Sequence, residues 1–417
     1  MNTMRKTKVV MVLESQGGTR RHVVDLIRGL DAERFDVTLI YGTSRLDASF
    51  IEDLPELRRH ARLIPCDALV RNISPRHELA ALRQVRTAIR EIRPDVVHCH
   101  SSKAGIIGRL AARLEHVPRV FYTPHAYSFM APEFSGKKRV VFTALERWFS
   151  RNATTLTFNV STGEKRAALA AGLDRADKFR VIVNGVPDVP VPSREEARAA
   201  LGFADELGIP EGAPVVGVTA RLVEQKDPMT FARIAAEVIR QRPDAHFVYM
   251  GDGPLESDVR EYWRDCGEDV ASHTHVIGYR ADADIMVSAF DVYLLTSLYE
   301  GMPYSLIESL RAGVPAVATD VVGSNEVVRP GADGRTARAG QETRNGLLFP
   351  VGDVEAGVAA VMDVLDDPPS RDAVRETFLR RFLASQMVRD IARHYRGELL
   401  PSEAELRSEG AIKEVRR

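Results

Sequence analysis

Thr296-Ser297-Leu298-Tyr299-Glu300-Gly301-Met302-Pro303-Tyr304-Ser305-Leu306-Ile307-Glu308-Ser309-Leu310-Arg311-Ala312-Gly313-Val314-Pro315 follows one short apolar run, residues 292–295, and leads into another, residues 314–319. A Gly-Met-Pro loop opens the segment, a helix-length stretch follows, and Gly313 stands where a helix takes a left-handed C′ residue. The same alternation extends in both directions. Short Val/Ile-rich runs at 8–13, 37–41, 62–65, 96–100, 119–123 and 154–157 are separated by longer amphipathic segments, and the rhythm restarts at 215–218 and continues through 245–250 and 274–277. Continuous apolar strands spaced by helices indicate parallel sheets covered on both faces. The expected class is therefore α/β, with two doubly wound, Rossmann-like domains.

The length of 417 residues suits two such domains. Pro187-Asp188-Val189-Pro190-Val191-Pro192-Ser193 can continue neither a helix nor a central strand, and this marks the boundary. The expected division is a first domain over 1–186, a linker over 187–194 and a second domain over 195–369. A helical segment over 370–400 is expected to pack back towards the first domain, and a charged tail covers 401–417. With 57 Lys and Arg against 58 Asp and Glu, no global field favours nucleic acid or an anionic membrane. The three cysteines, Cys66, Cys99 and Cys266, form no CxxC pair, which argues against a disulfide framework or a zinc site and fits a cytoplasmic protein. No window approaches the roughly 18–20 apolar residues that span a bilayer.

Carboxyl ends of parallel strands are where such folds bind ligands. The loop Glu300-Gly301-Met302-Pro303 aims a helix N-terminus at that edge, and its backbone N–H groups suit a diphosphate. Glu300 and Glu308 can flank that site and accept hydrogen bonds from sugar and ribose hydroxyls; the plainer alternative makes Glu300 a helix cap and Glu308 a solvated residue. Strand 215–219 runs straight into Ala220-Arg221-Leu222-Val223-Glu224-Gln225-Lys226. Arg221 and Lys226 leave its end together, placed to neutralise a diphosphate leaving group.

These motifs together resemble the retaining glycosyltransferases of glycosyltransferase family 4, whose E-x7-E motif matches Glu300 and Glu308. The resemblance extends to Gly17-Gly18, Thr123-Pro124-His125-Ala126 and Asn184-Gly185-Val186. It implies the GT-B fold, two Rossmann-like domains facing across a cleft, with a nucleotide-diphosphate sugar held by the C-terminal one. It further implies that Arg221 and Lys226 bind the diphosphate, Glu300 the donor sugar and Glu308 the ribose. Backbone groups of Gly301, Met302, Pro303, Tyr304, Ser305 and Leu306 would complete the site, with Tyr279 near the base. His125 would lie near the donor sugar, and Gly17 and Gly18 would let backbone approach a phosphate or sugar. Front-face attack without a covalent nucleophile, and without metal or other cofactor, is implied as well. A UDP-sugar is the first expected donor and GDP-mannose the second; the expected acceptor is a glycan or polyprenyl-linked species in cell-surface polysaccharide synthesis.

Other readings stay open. A nucleotide-sugar 2-epimerase shares the architecture, and a sugar-nucleotide sensor or scaffold would need no chemistry. A dinucleotide oxidoreductase lacks its glycine fingerprint here. His98 and His100 share one strand face, as a metal pair would, but no third ligand appears at a useful spacing, so no metal site is expected. Lys137, Lys138 and Arg139 precede Phe142, Leu145, Trp148 and Phe149 at helical spacing; this is either a helix packed on its own sheet or a contact with the cytoplasmic membrane surface.

Overall fold

Alternate residues of the first strand enter different cores: Val9, Met11 and Leu13 join one apolar cluster, Val10 and Val12 another. That is what a strand covered on both faces requires. The computed structural model describes residues 5–14, 17–44, 46, 48–72, 74–130, 135–328 and 344–398, so the tail over 401–417 lies outside the described residues. The chain divides into two units, one comprising residues up to Val183 together with the chain from Ala384, the other Asn184–Leu383.

The first unit contains β1 (Thr7–Leu13), β2 (Phe35–Gly42), β3 (Arg62–Cys66), β4 (Val96–His100), β5 (Arg119–Thr123), β6 (Leu156–Asn159) and β7 (Phe179–Val181). All pair in parallel, in the order β3-β2-β1-β4-β5-β6-β7. Helices Gly18–Gly29 and Ala384–Tyr395 cover one face, and Pro75–Ile92 and Ser102–Leu114 the other. The second unit repeats this order with β8 (Val215–Thr219), β9 (His246–Met250), β10 (Thr274–Val276), β11 (Val292–Leu295), β12 (Ala316–Thr319) and β13 (Gly346–Phe349), arranged β10-β9-β8-β11-β12-β13. Its helix Pro228–Gln241 begins at Asp227, whose carboxylate accepts from the Thr230 N–H, and buries Phe231, Ile234, Ala235 and Val238. Cap, first-turn proline and apolar spacing agree there.

Several boundaries differ from the expected ones. β7 and β13 are absent from the sequence reading: both are short edge strands, and Arg180 interrupts the apolar character of β7. β6 starts at Leu156 because Thr154 closes the preceding helix, its hydroxyl donating to the Phe149 carbonyl at 2.9 Å. The helical segment over 370–400 is two helices, Arg371–Arg381 and Ala384–Tyr395, and the division between units falls between them. At that break Leu383 bridges Val186, and the Val186 N–H donates to the Phe382 carbonyl at 2.9 Å. The proline-rich stretch is tied to the second unit, with Arg311 donating to the Pro187 carbonyl at 3.3 Å and Arg375 to Asp188 at 2.8 Å. Helix Ala384–Tyr395 sends Met387, Val388, Ile391 and Tyr395 into the core of the first unit.

Gly217 lies in the middle of β8, where a Cβ would come within 2.4 Å of the Phe290 ring. Gly217→Ala is expected to cost about 1–3 kcal/mol of stability through overpacking. Phe290→Leu in the same chain should recover part of that loss, both read from denaturant unfolding.

Candidate functional site

Both sheets reverse their strand order once, beside β1 and β4 in the first unit and beside β8 and β11 in the second. The strand ends at such a reversal leave a crevice, since the two flanking connections depart to opposite faces. In the second unit the loops leaving β8 and β11 carry Arg221, Lys226 and Glu300, so these three residues gather at one switch point.

These two loops are bonded to each other. The Thr296 hydroxyl donates to the carbonyls of Lys226 and Asp227, each at 2.9 Å. The Leu298 N–H donates to the Gln225 carbonyl at 2.9 Å, and the Gln225 side chain returns a bond to the Tyr299 carbonyl at 3.1 Å. Thr319 at the end of β12 donates to the Ser297 carbonyl at 2.6 Å, and Asn184 to the Met302 carbonyl at 3.1 Å. Gly323, at φ +85°, fits against the loop only without a side chain, because a Cβ would meet the Gly301 oxygen at 2.2 Å. A loop held from four directions loses little freedom when a ligand arrives, which is the condition for preorganised binding.

Glu300 is buried, and one of its oxygens accepts both from the Lys226 ammonium and from the Ser297 hydroxyl, the latter at 2.7 Å. It does not cap the following helix: Pro303 occupies the N-cap of helix Tyr304–Arg311, and no side chain closes that end. The helix N-terminus therefore presents main-chain donors as an anion site does. Ser305 hydrogen-bonds Tyr293, whose hydroxyl also contacts Thr219 and which burial pushes up to about 12. Glu308 is buried, not a solvated helix residue. Gly313 ends the helix at φ +71°, with the Val314 N–H donating to Ser309 at 2.8 Å and its own N–H to Leu310 at 3.0 Å. Arg221 is exposed and forms no ion pair among the described residues, leaving its guanidinium available to an anion. Tyr279, 55% exposed, follows β10 just after Gly278 at φ +75°, and its neighbour Arg280 is engaged by Asp282 at 2.8 and 2.9 Å.

In the first unit Gly17, at φ +63°, is the N-cap of a helix that begins at Gly18. An added Cβ there would meet nothing within 4 Å, so the backbone angle is what calls for glycine at 17. His125 and Ala126 take φ +55° and +83°, a left-handed pair that costs of order 1–3 kcal/mol per residue elsewhere. Buried Glu164 holds the turn: its carboxylate accepts from the Ala126 N–H at 2.6 Å and the Val160 N–H at 2.8 Å. His125 Nε2 lies 3.3 Å from His100 Nδ1, and the His22 ring centroid is 4.7 Å from that of His125. His98 stands apart in its bonding, with one nitrogen on Tyr395 at 2.6 Å and the other on Thr123 at 2.8 Å. Burial first, and then neighbouring histidines, hold His98, His100 and His125 well below the usual imidazole range. The sequence reading paired His98 with His100, and their ring centroids do lie 4.0 Å apart; His100 also keeps company with His22 and His125, which stand too far away in sequence for spacing to reveal. Glu164, Thr296 and Tyr293 were likewise missed, as their partners lie on other elements.

A family profile described as Glycosyl transferases group 1 matches residues 213–367, and one described as Glycosyltransferase Family 4 matches residues 16–188. The UDP-Gal:alpha-D-GlcNAc-diphosphoundecaprenol alpha-1,3-galactosyltransferase of Escherichia coli is 29% identical over 374 residues, covering 88% of this chain and 90% of the relative. Alpha-maltose-1-phosphate synthase of Mycolicibacterium smegmatis is 30% identical over 302 residues, 67% of this chain and 71% of the relative. Among solved structures, Anabaena HepE in complex with UDP and glucose superposes with a TM-score of 0.72 at 19% identity, over 94% of this chain and all of that one. At that identity the likeness establishes the fold, which is GT-B: two Rossmann-like α/β domains.

Histidines kept neutral by the fold make stability depend on pH in one direction. His246, His275 and His394 are pushed down to about 4, chiefly by burial, while the unfolded chain protonates them near 6.5. Below 6.5 the unfolded state therefore binds more protons, and acid favours it. The thermal midpoint should hold steady above pH 7 and fall continuously from about pH 6.5 to 4; a midpoint that rises over that window would contradict the burial of these rings.

Proposed function

This chain belongs to glycosyltransferase family 4, and from that premise we propose that it transfers a sugar, with retention, from a nucleotide diphosphate donor held at the switch point of its second unit. The observation that carries the proposal is the bonded pair of loops placing Arg221, Lys226, Glu300 and an uncapped helix N-terminus at the ends of β8 and β11. Cations and main-chain donors suit the diphosphate; buried carboxylates suit hydroxyls. Lys226, paired with Glu300 in the free protein, exchanges that partner for phosphate oxygens as the donor enters, while Glu300 turns its oxygens to sugar hydroxyls. Glu308 receives the ribose, Tyr279 lies beside the base, and His125 in the first unit offers a ring nitrogen to a sugar hydroxyl.

In the transfer, the bond between the anomeric carbon and the β-phosphate oxygen breaks while the acceptor oxygen joins the same face of that carbon. The acceptor proton passes to the leaving phosphate oxygen. Arg221, Lys226 and the helix N-terminus stabilise the charge that develops there, so the reaction is proposed to need no metal. A UDP-sugar is the first donor: the E. coli relative's name specifies UDP-Gal, and HepE was solved with UDP. A polyprenyl-diphosphate-linked sugar is the acceptor class, following the same E. coli relative, and places the enzyme in cell-surface polysaccharide assembly.

Such an acceptor lies in a membrane, and helix Gly136–Ala153 is built to meet one. Its inner face buries Glu146, Phe149, Ser150 and Ala153, with Glu146 accepting from buried Arg109 at 2.8 Å and from Tyr122 at 3.0 Å. Its outer face exposes Val140, Val141, Leu145 and Trp148 beside Lys137, Lys138 and Arg139. No helix of the described residues is long and apolar enough to cross a membrane, so the proposed contact is with the surface of the bilayer.

Two experiments follow. A panel of UDP-sugars and GDP-mannose, assayed with a polyprenyl-diphosphate acceptor in EDTA, should give one productive donor and an anomerically retained product. Glu300→Ala and Arg221→Ala should each lower kcat/KM by about 100-fold or more; epimerised free nucleotide sugar as the product, or undiminished variants, would overturn the assignment. In flotation with phosphatidylglycerol vesicles the wild type should rise with the lipid at low salt, and Val141→Glu with Trp148→Ser should abolish this without shifting the thermal midpoint.

A further inference from the structure

We propose that His22, His100 and His125 form a binding site for one divalent transition metal of the zinc and cobalt class, within the first unit, and that an ion bound there inhibits the enzyme.

One ligand nitrogen from each ring falls within 4.8 Å of the others, and among the described residues this is the group of three that satisfies such spacing. The tightest pair, His100 Nδ1 and His125 Nε2, is 3.3 Å apart. Two nitrogens bound at roughly 2.0–2.1 Å to a tetrahedral ion stand about 3.3–3.4 Å apart, so this pair already has the separation that zinc imposes. His22, on the second turn of its helix, offers its ligand nitrogen within 4.8 Å of the other two and would have to close the remaining distance on binding.

The bonding of the neighbouring histidine makes the contrast. His98 uses both ring nitrogens, on Tyr395 and Thr123, and is a satisfied core residue. His100 has one nitrogen facing another imidazole and its Nε2 buried without a hydrogen-bond partner. A buried ring nitrogen left without a partner is unusual in a folded protein. The three rings come from three rigid supports: the helix after β1, the end of β4, and the left-handed turn that Glu164 holds after β5. His125 is only half-buried, and a water would complete a tetrahedral set as the fourth ligand.

The inhibitory consequence rests on the function proposed above, since metal at this site occupies the His125 nitrogen that would otherwise serve a sugar hydroxyl. Binding itself does not depend on that reading, and the two are measured separately. Untagged full-length protein, stripped with chelator, is titrated with Co2+ and followed by its visible ligand-field bands, with Zn2+ competition. The expected result is one equivalent bound with a tetrahedral spectrum, and affinity lowered by about 10-fold or more in both His22→Gln and His100→Gln. Thermal midpoints of the metal-free variants separate loss of a ligand from loss of fold. His246→Gln serves as a control, because His246 lies 3.4 Å from His275 in a second histidine cluster of the other unit; it should leave binding unchanged. Absence of the tetrahedral spectrum, binding that survives both ligand variants, or binding that moves with His246→Gln overturns the site. For the wild type, added Zn2+ should suppress transfer and EDTA restore it, whereas full activity with zinc bound overturns the inhibitory role. Cobalt binding in a protein inactive with every donor would leave the site standing and count against the proposed transfer.

Discussion

Each sheet of this protein is wound outward in two directions from its first strand, and that reversal is the constraint on which everything else depends. Parallel strands need crossover connections, and right-handed crossovers to either side of β1 and β8 send neighbouring chain segments to opposite faces. The loops after β1 and β4, and after β8 and β11, are thereby left together at the carboxyl edge with little between them. Gly17, His22 and His100 in one unit, and Arg221, Lys226 and Glu300 in the other, occupy equivalent places for this topological reason.

What keeps those edges rigid is polar bonding between loops more than apolar burial. In the second unit Thr296, Gln225, Thr319 and Asn184 each cross from one segment to another, and the close fit of Gly323 against Gly301 leaves no slack. In the first, Glu164 sustains two consecutive left-handed residues at the point where His125 leaves β5. Strain of this sort persists only where surroundings over-determine it, and it concentrates where function needs a side chain aimed in one direction. The chemistry proposed for the enzyme uses no covalent nucleophile, so fixed position and fixed charge are what its residues have to contribute.

The architecture was legible because buried parallel strands leave continuous apolar runs, and eleven of them could be read from the chain. β7 and β13 escaped because edge strands are short and need not be apolar throughout. The break between helices Arg371–Arg381 and Ala384–Tyr395 escaped because Phe382 and Leu383 are ordinary helix residues, and only the bridge to Val186 explains why the chain opens there. Glu300, Lys226 and Arg221 could be singled out as charged residues beside glycine and strand ends. The Lys226–Glu300 ion pair, the grouping of His22 with His100 and His125, and the Glu164 clamp could not, because each joins segments whose proximity is fixed by the sheet order alone.

The central claim is that the loops after β8 and β11 hold the nucleotide diphosphate. Amide hydrogen exchange with and without saturating UDP tests it without requiring the acceptor or the sugar. The account predicts slowed exchange confined mainly to residues 220–227 and 296–308, with the slowing lost in Arg221→Ala. Protection centred elsewhere, or none in these two segments at a UDP concentration that saturates binding by calorimetry, would contradict it.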